Sequence, residues 1–367
     1  MEIPFFKKIK LPTFSFGFLA NKPARVVGID IGVYSTKVVQ LRYQDEKAIL
    51  ETYGELLSEK YLTGGAGGSG FLHFLDSDIA DLLKDVLRES NVTSQDAVLS
   101  ISSSSSFVTL ISLPKISKKE LEQTVPFEAR KYVPIPMSEV VLDWEIFEPD
   151  EERETTEALL VAVPKEVVEK FKRIAGIAGL NLRALEVETF SLVRSLVGLD
   201  PTPTAVINLG YLNSVLAIVD KNRLRLSHNI SHGSLEITRA LERGMNINKD
   251  RAEVIKKDIG LSPRPEEKEI ASIISPFVEV LFAEVERMIA LYNRKAPRKV
   301  QKIILSGGGS SLRGLVDYAS IRMGMEVNRG NPFARIVAPA FMQPLLRELG
   351  PNFSIAVGLA LHEITNR

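Results

Sequence analysis

Asp30, Gly32, Ser35 and Thr36 stand in "VGIDIGVYSTKVVQL", and Asn208, Gly210, Asn213 and Ser214 stand in "AVINLGYLNSVLAIV". The two stretches align over 15 positions at a constant offset of 178. Each reads as strand, acid or amide, glycine turn, small polar residues, strand. A glycine in such a turn lets the backbone approach an anion, and turn N–H groups with Ser or Thr hydroxyls can cradle phosphate oxygens. Two hairpins of this kind, one from each half of a duplicated protein, could grip a triphosphate from both sides. Asp30, at the end of its strand, can hold a hydrated Mg²⁺, an ion that keeps most of its waters. The bland alternative is two unrelated hairpins that share turn residues. The common register favours duplication. Lys37 reads as an outward strand residue, with a phosphate contact as the other possibility.

A third piece is "IILSGGGSSLRGL", in which an apolar strand runs into Gly307, Gly308 and Gly309 ahead of a helical pattern. Glycines at a helix N-terminus offer N–H donors without side-chain bulk. Three glycines alone say little; after two phosphate-type hairpins they count for more. In "AEVIKK", Glu253 and Lys256 sit on a helix and, by spacing alone, read as a solvated face.

The elements that must position these residues follow from periodicity. Residues 26–57 hold three strand-like runs, and "DSDIADLLKDVLRES" spaces Ile79, Leu82, Leu83, Val86 and Leu87 as a helix does. "AVLSIS" and "FVTLISLP" flank a serine run, 102–106, with no His or acid spaced to activate a nucleophile. Ser117 and Glu120 form a capping-box pattern, opening a helix expected to end near Tyr132. Two strands around the acidic turn 150–154 follow, then a helix, a strand and a helix. "DPTPT" (200–204) is the clearest linker, and the lobe boundary is expected there. The second half reads as hairpin, strand, two helices, a long helix from about 266 to 295, strand, triple glycine and helix. A last helix follows a proline-rich loop. Strands in hairpins that then alternate with helices indicate an α/β protein with mixed sheets.

Composition narrows the chemistry. The 367 residues suggest two domains or one divided into lobes, and 45% apolar content supports a sizeable core. Forty-six basic residues balance 46 acidic ones, so global charge does not point to nucleic acid. The absence of cysteine excludes disulfides, thiolate metal sites and thiol catalysis, and four scattered histidines weigh against a His-rich metal centre. No run of about 18 apolar residues is present. Residues 1–22 interleave Lys7, Lys8, Lys10 and Lys22 with phenylalanines, the composition of a weak interfacial anchor, or of a tail packed on its own domain. The glycine-rich stretch 63–70 reads as a flexible loop.

The two hairpins with the triple glycine resemble the layout of the actin, hexokinase and heat-shock-chaperone ATPases. "AEVIKK" is similar to the helix by which bacterial actin-like proteins hold the nucleoside, which implies that Glu253 and Lys256 contact ribose and base. Within that group, "SLPKISKKELEQTVPFEARKYVPIPMSEVVLDWEIF" (112–147) resembles the PilM family of type IV pilus assembly. The segments "VPKEVVEKFKRIAGIAGLNLRALEVETFSLVRSL" and "LSGGGSSLRGLVDYASIRMGMEVNRGNPF" are similar to it in the same order. The resemblance implies an actin-like fold of two duplicated lobes, 23–200 and 201–350, with an FtsA-like αβ subdomain inserted at about 100–165. Residues 351–367 would return to the first lobe as a helix. It further implies ATP and Mg²⁺ as ligands. The partners implied are the cytoplasmic N-terminal peptide of a PilN-type membrane protein and the pilus motor ATPases, with a second copy of the chain, as a homo-oligomer, left open. The place implied is the inner face of the bacterial inner membrane, peripherally bound. Phe127, Tyr132, Val133 and Ile135 would wall a peptide groove or form core.

In this superfamily the second hairpin usually begins with Asp. Asn208 can orient water but cannot accept its proton. The expectation is therefore nucleotide binding with slow or negligible hydrolysis, with Glu186 or Glu188 near the cleft and neither assigned as a base. Competing readings are an FtsA-like filament-forming tether, whose anchor is C-terminal rather than N-terminal, and a hexokinase-class kinase, for which no sugar-site motif is found. The type II secretion counterpart, which continues into a transmembrane helix, is a third.

Overall fold

The computed structural model describes residues 24–62, 73–114, 118–147 and 155–362, together with the backbone of 15–17. The expectations for most of the tail 1–22, the glycine loop 63–70, the cap Ser117 and the acidic turn 150–154 fall outside the described residues. The chain divides into two compact units, Met1–Arg194 with Ile355–Arg367, and Ser195–Ser354.

The first unit runs β1 (Ser15–Gly17), β2 (Arg25–Ile31), β3 (Ser35–Gln44), β4 (Lys47–Leu57), α1 (Asp76–Glu89) and β5 (Asp96–Ile101). It continues with β6 (Phe107–Pro114), α2 (Lys118–Ala129), β7 (Val140–Ile146), β8 (Thr155–Pro164), α3 (Lys165–Ile177), β9 (Asn181–Val187) and α4 (Glu188–Leu192). Its main sheet has the order β1-β9-β5-β2-β3-β4. Strands β2, β5 and β9 are parallel, and β3 and β4 extend the sheet antiparallel. α1 buries Ile79, Leu82, Leu83 and Val86, the stripe its spacing predicts.

The second unit contains β10 (Thr204–Leu209), β11 (Ser214–Asp220), β12 (Arg223–Ile230), α5 (Ser234–Met245), α6 (Lys249–Asp258) and α7 (Lys268–Lys295). It closes with β13 (Lys302–Ser306), α8 (Leu315–Met323), β14 (Glu326–Arg329) and α9 (Gln343–Ala360), the last running on into the first unit. Its sheet order is β12-β11-β10-β13-β14.

The two sheets carry one topology. β10 and β13 are parallel, as β2 and β5 are; β10–β11–β12 are antiparallel, as β2–β3–β4 are. Ile31 pairs with Thr36, and Leu209 pairs with Ser214 at the same offset of 178. Even the irregularity is repeated: the register slips between Gln40 and Leu41 on β3 and between Ile218 and Val219 on β11. A bulge is set locally by one strand's extra residue, so its recurrence at the same offset supports duplication over chance likeness.

The inserted segment forms its own sheet, ordered β6-β8-β7, with α2 against one face. Alternate residues of β6 and β8 (Ile111, Leu113, Ala158, Leu160 and Ala162) meet Leu121, Val125 and Ala129 of α2. α2 ends at Ala129 rather than near Tyr132, and Pro126 lies inside it.

The boundary expected at 200–204 instead falls at Arg194/Ser195, at the end of a π-helical turn's first residues, Val193–Val197. The proline segment is stitched to the second sheet: Asp200 accepts the Thr202 N–H at 2.9 Å and pairs with Lys302 of β13. The last helix also begins earlier than expected, at Gln343, and carries Pro351 within it. The ring at Pro351 removes one N–H donor, while its carbonyl accepts from Gly307 N at 2.9 Å and Ser306 Oγ at 3.1 Å.

The C-terminal part of α9 is fastened into the first unit by contact and by charge. A Cβ at Gly28 would lie 2.2 Å from the Ala356 carbonyl oxygen, so only glycine permits this helix–sheet approach. Buried Arg194 donates through both terminal nitrogens to buried Glu186 at 2.6 Å each, and also to the Gly358 carbonyl at 2.9 Å. Burial alone would raise the Glu186 carboxyl; Arg194 outweighs it and holds it below the usual range.

Candidate functional site

In a parallel sheet, ligands gather beyond the carboxyl ends of the strands. In the first unit those ends bring Asp30 from β2, Ser100 from β5 and Glu188, which follows β9. Asp30 accepts from Ser100 Oγ at 2.9 Å and stands opposite Lys37 in the β2–β3 register. Burial raises the Asp30 carboxyl, against the opposing charge of Lys37 and the Ser100 hydrogen bond. The outward reading of Lys37 does not hold: its side chain is 14% exposed, and Nζ donates to Ser35 Oγ at 2.7 Å and lies 3.6 Å from Glu55. Ser100, Asp30, Lys37 and Glu55 thus form a polar row across four neighbouring strands.

The hydroxyls of the first turn are engaged within the unit. Ser35 Oγ donates to Glu55 Oε1 at 2.6 Å, and Thr36 Oγ1 lies 3.2 Å from Ser58 Oγ. Ser58 Oγ in turn donates to the Gly32 carbonyl at 2.7 Å. A Cβ at Gly32 would sit 2.6 Å from the Ser35 carbonyl oxygen, so the turn demands glycine. The second turn repeats this: a Cβ at Gly210 would sit 2.4 Å from the Asn213 carbonyl oxygen. Here Ser214 Oγ donates to the His232 carbonyl at 2.7 Å, and the Gly210 carbonyl accepts from Ser234 N at 3.0 Å, at the start of α5. In both copies the glycine carbonyl is held from behind and the small polar side chains brace the next strand. The hydroxyls of Ser35, Thr36 and Ser214, expected as phosphate contacts, are thus engaged within their own units.

The second unit's equivalent row is neutral. Asn208 of β10 lies between Ser306 of β13 and Val215 of β11, and Val215 pairs with Asn229 of β12. Asp, Lys and Glu of the first row become Asn, Val and Asn. The buried Asn229 Oδ1 has no hydrogen-bond partner among the described residues.

The triple glycine packs on the end of β10. Gly307 has φ +79°, and a Cβ there would lie 2.5 Å from the Leu209 carbonyl oxygen and 2.7 Å from Asn208 Oδ1. A Cβ at Gly309 would lie 2.9 Å from Leu209 Cβ, whereas one at Gly308 would meet nothing within 4 Å. Gly308 alone of the three faces open space. The glycines do not open the α-helix directly: a 3₁₀ turn covers Gly308–Ser311, and α8 begins at Leu315. Gly314, at φ +77° against the Leu261 carbonyl, sets the break between them.

Glu253 and Lys256 of α6 are not a solvated face. Lys256 Nζ donates to Glu253 Oε1 at 2.7 Å and to Thr238 Oγ1 of α5 at 2.8 Å, and its side chain is buried. Burial lowers Lys256 despite the Glu253 partner. Thr238 also donates to Glu253 at 2.5 Å, closing a three-residue knot between the helices.

The serine run joins the site through Glu188. Glu188 Oε1 accepts the Ser103 N–H at 2.7 Å, and Ser103 Oγ lies 2.9 Å from Thr189 Oγ1. Burial, and next the charge of Asp30, push the Glu188 carboxyl up to about 7 against these hydrogen bonds. Strand periodicity alone does not show this contact, because Ser103 and Glu188 are far apart in the chain. The usable signal is that each follows the end of a parallel strand. Among the described residues no group of three or more His, Cys, Asp or Glu side chains is placed to hold a metal ion.

Two duplicated sheets, glycine turns at matching strand ends and an αβ insertion define the actin-like ATPase fold. The chain belongs to the family of the type IV pilus assembly protein PilM, whose model matches residues 28–364. The structure of a PilM–PilN type IV pilus biogenesis complex aligns with TM-score 0.79 at 24% identity, covering 92% of this chain and 98% of that one. The ethanolamine utilization protein EutJ from Carboxydothermus hydrogenoformans aligns with TM-score 0.52 at 15% identity, over 93% of this chain and 90% of that one. MreB5 of Spiroplasma citri bound to ADP aligns with TM-score 0.50 at 12% identity, over 91% and 94%.

A carboxyl raised by folding is protonated in the native state while the unfolded chain has already ionised. Stability from Glu188 is therefore greatest below its unfolded value near 4.5 and falls as pH rises toward about 7. Glu188→Gln is expected to match the parent chain in urea unfolding near pH 4.5 and to exceed it at pH 8. Equal stability of the two proteins at both pH values contradicts the shift.

Proposed function

We propose that this chain is a nucleotide-holding scaffold of type IV pilus assembly, binding ATP without using it rapidly. The observation that carries the reading is the contrast between the two polar rows: charged Ser100–Asp30–Lys37–Glu55 in the first unit and neutral Ser306–Asn208–Val215–Asn229 in the second. An amide accepts and donates hydrogen bonds but takes no proton from water. The second row can orient a phosphate or a water and has no carboxylate to activate one.

The residues present fit a nucleotide. Gly308 leaves open space next to Gly307, which packs against Asn208 Oδ1, and Gly32 and Gly210 allow close backbone approach. Lys256 and Glu253 are a preformed charged pair for the nucleoside. Asp30 is the carboxylate that would reach Mg²⁺. With no acidic cluster among the described residues, water and phosphate would supply the ion's other ligands. Bound there, the ion would neutralise phosphate charge.

The inserted subdomain supplies a second binding surface. Val133 is core and Ile135 packs against it, while Phe127 is 62% exposed with the Arg130 guanidinium 5.5 Å from its ring centre, and Tyr132 is also exposed. Phe127 and Tyr132 therefore suit capture of a short peptide, which we assign to the cytoplasmic N-terminus of a PilN-type membrane protein. Through that partner the chain would sit at the inner face of the inner membrane and communicate with the pilus motor ATPases.

Gly308→Val tests the nucleotide site, because the fold has room for the side chain. Its unfolding free energy in urea is expected to stay within about 0.5 kcal/mol of the parent, while ATP affinity measured by calorimetry falls at least about tenfold through steric exclusion. Undiminished ATP binding by the valine variant would place the nucleotide elsewhere. For the peptide, Phe127→Ala is expected to weaken a fluorescent PilN-type N-terminal peptide by about tenfold in an anisotropy titration. Unchanged affinity sinks the assignment of this surface.

A further inference from the structure

The inserted sheet ends in an open edge. In the order β6-β8-β7, β7 is the last strand among the described residues. The Phe147 N–H bonds the Glu157 carbonyl at 2.8 Å, so by antiparallel alternation the odd-numbered residues of β7 bond inward to β8. Leu142 and Trp144 then direct their N–H and C=O groups away from β8. The Trp144 N–H is met only by its own neighbour, since Asp143 Oδ1 accepts it at 2.9 Å. The Asp143 carboxylate therefore stands at the edge itself. Burial raises it, and no cation among the described residues offsets the rise. The two faces of β7 differ in kind. Leu142, Trp144 and Ile146 pack toward the α2 core, while Asp143 and Glu145 share the other face. From Glu139 to Glu157 the sequence holds nine carboxylates and a single basic residue, Arg153. An open edge of this kind is a template for one more strand.

We infer that residues 5–11, "FFKKIKL", add to β7 as a fourth strand, so that the chain's own N-terminal segment straps the inserted subdomain. Pattern, charge and position choose this occupant. Extended, the segment puts Lys8 and Lys10 on one face, at the two-residue spacing of Asp143 and Glu145. Phe5, Ile9 and Leu11 fall on the other face with Lys7, as Leu142, Trp144 and Ile146 do on β7. Opposite charges and apolar pairs on neighbouring strands both stabilise the pairing. Residues 3–14 carry three lysines and no acid, against the acid excess of 139–157. The starting point is also suitable. β1 runs antiparallel to β9 with Ser15 opposite Glu186, so the chain before Ser15 leaves at the carboxyl end of β9. The insertion departs from the same end of β5, the adjoining parallel strand. Phe5 precedes Ser15 by ten residues, an extended reach of about 33 Å. A tethered strand acts at an effective concentration of about a millimolar, so any incoming extended peptide has to displace it. The strap thus guards this edge against foreign strands and against other copies of the chain.

Trp144 is the chain's only tryptophan, so its fluorescence reads the edge directly. In the full chain, Lys8→Glu with Lys10→Glu is expected to raise acrylamide quenching of Trp144 at least about twofold, as the covering strand is lost. Lys8→Arg with Lys10→Arg keeps the charge and is expected to keep parental quenching. Asp143→Asn is expected to raise quenching as well, and to add little when combined with the glutamate changes, because both remove one contact. Parental quenching in the glutamate variant overturns the inference, as does full additivity with Asp143→Asn. So does a dimer in sedimentation velocity that the glutamate variant dissolves, since the strand would then come from a second copy. Phe127→Ala lies on α2 and is expected to leave Trp144 quenching at the parental level, so the peptide surface and the strap are tested separately.

Discussion

The fold depends on two glycine turns that have no room for a Cβ. At Gly32 and again at Gly210, the carbonyl three residues on closes to a distance only a glycine tolerates. That closure fixes the register of β2 against β3 and of β10 against β11, and a one-residue slip would turn every buried side chain of the hairpin outward. It also brings Asp30 and Asn208 to the ends of their strands, beside the turn N–H groups. The same constraint thus sets the core and presents the site.

From that shared frame the two units diverge in charge. The first row is knit together: Lys37 and Glu55 clamp the Ser35 hydroxyl, and Ser100 holds Asp30. The second row keeps the geometry and loses the ions, with an unpartnered oxygen at Asn229 among the described residues. With Ser306, Val215 and Asn229, Asn208 leaves the whole second row without an ionisable side chain. Holding a nucleotide and turning it over are different demands, and the proposed function asks only the first of this row.

Much of this was legible in the sequence because it depends on short-range pattern. The constant offset of 178 between the hairpins predicted the duplicated sheets, and the register of both copies follows it. The helix stripe at Ile79–Val86 was equally readable, whereas the αβ insertion was expected only from the resemblance to a known family. What was not readable depends on tertiary contact. Lys37 looked like an outward residue because strand alternation does not show that Ser35 and Glu55 would surround it. The hydroxyls of Thr36 and Ser214 suggested phosphate ligands, yet each braces its own unit. Glu253 and Lys256 could equally have been solvated until Thr238 of the neighbouring helix closed the knot. "DPTPT" signalled a linker by composition, and the Asp200–Lys302 pair makes it part of the second unit.

The central claim is that the neutral second row separates binding from turnover. Steady-state ATP hydrolysis by the purified chain and by Asn208→Asp, both saturated with nucleotide, measures it most directly. The parent is expected to bind ATP and turn it over far below the usual enzymatic rate of about 10 per second, with the aspartate variant faster. Steady hydrolysis by the parent at several per second would contradict the account.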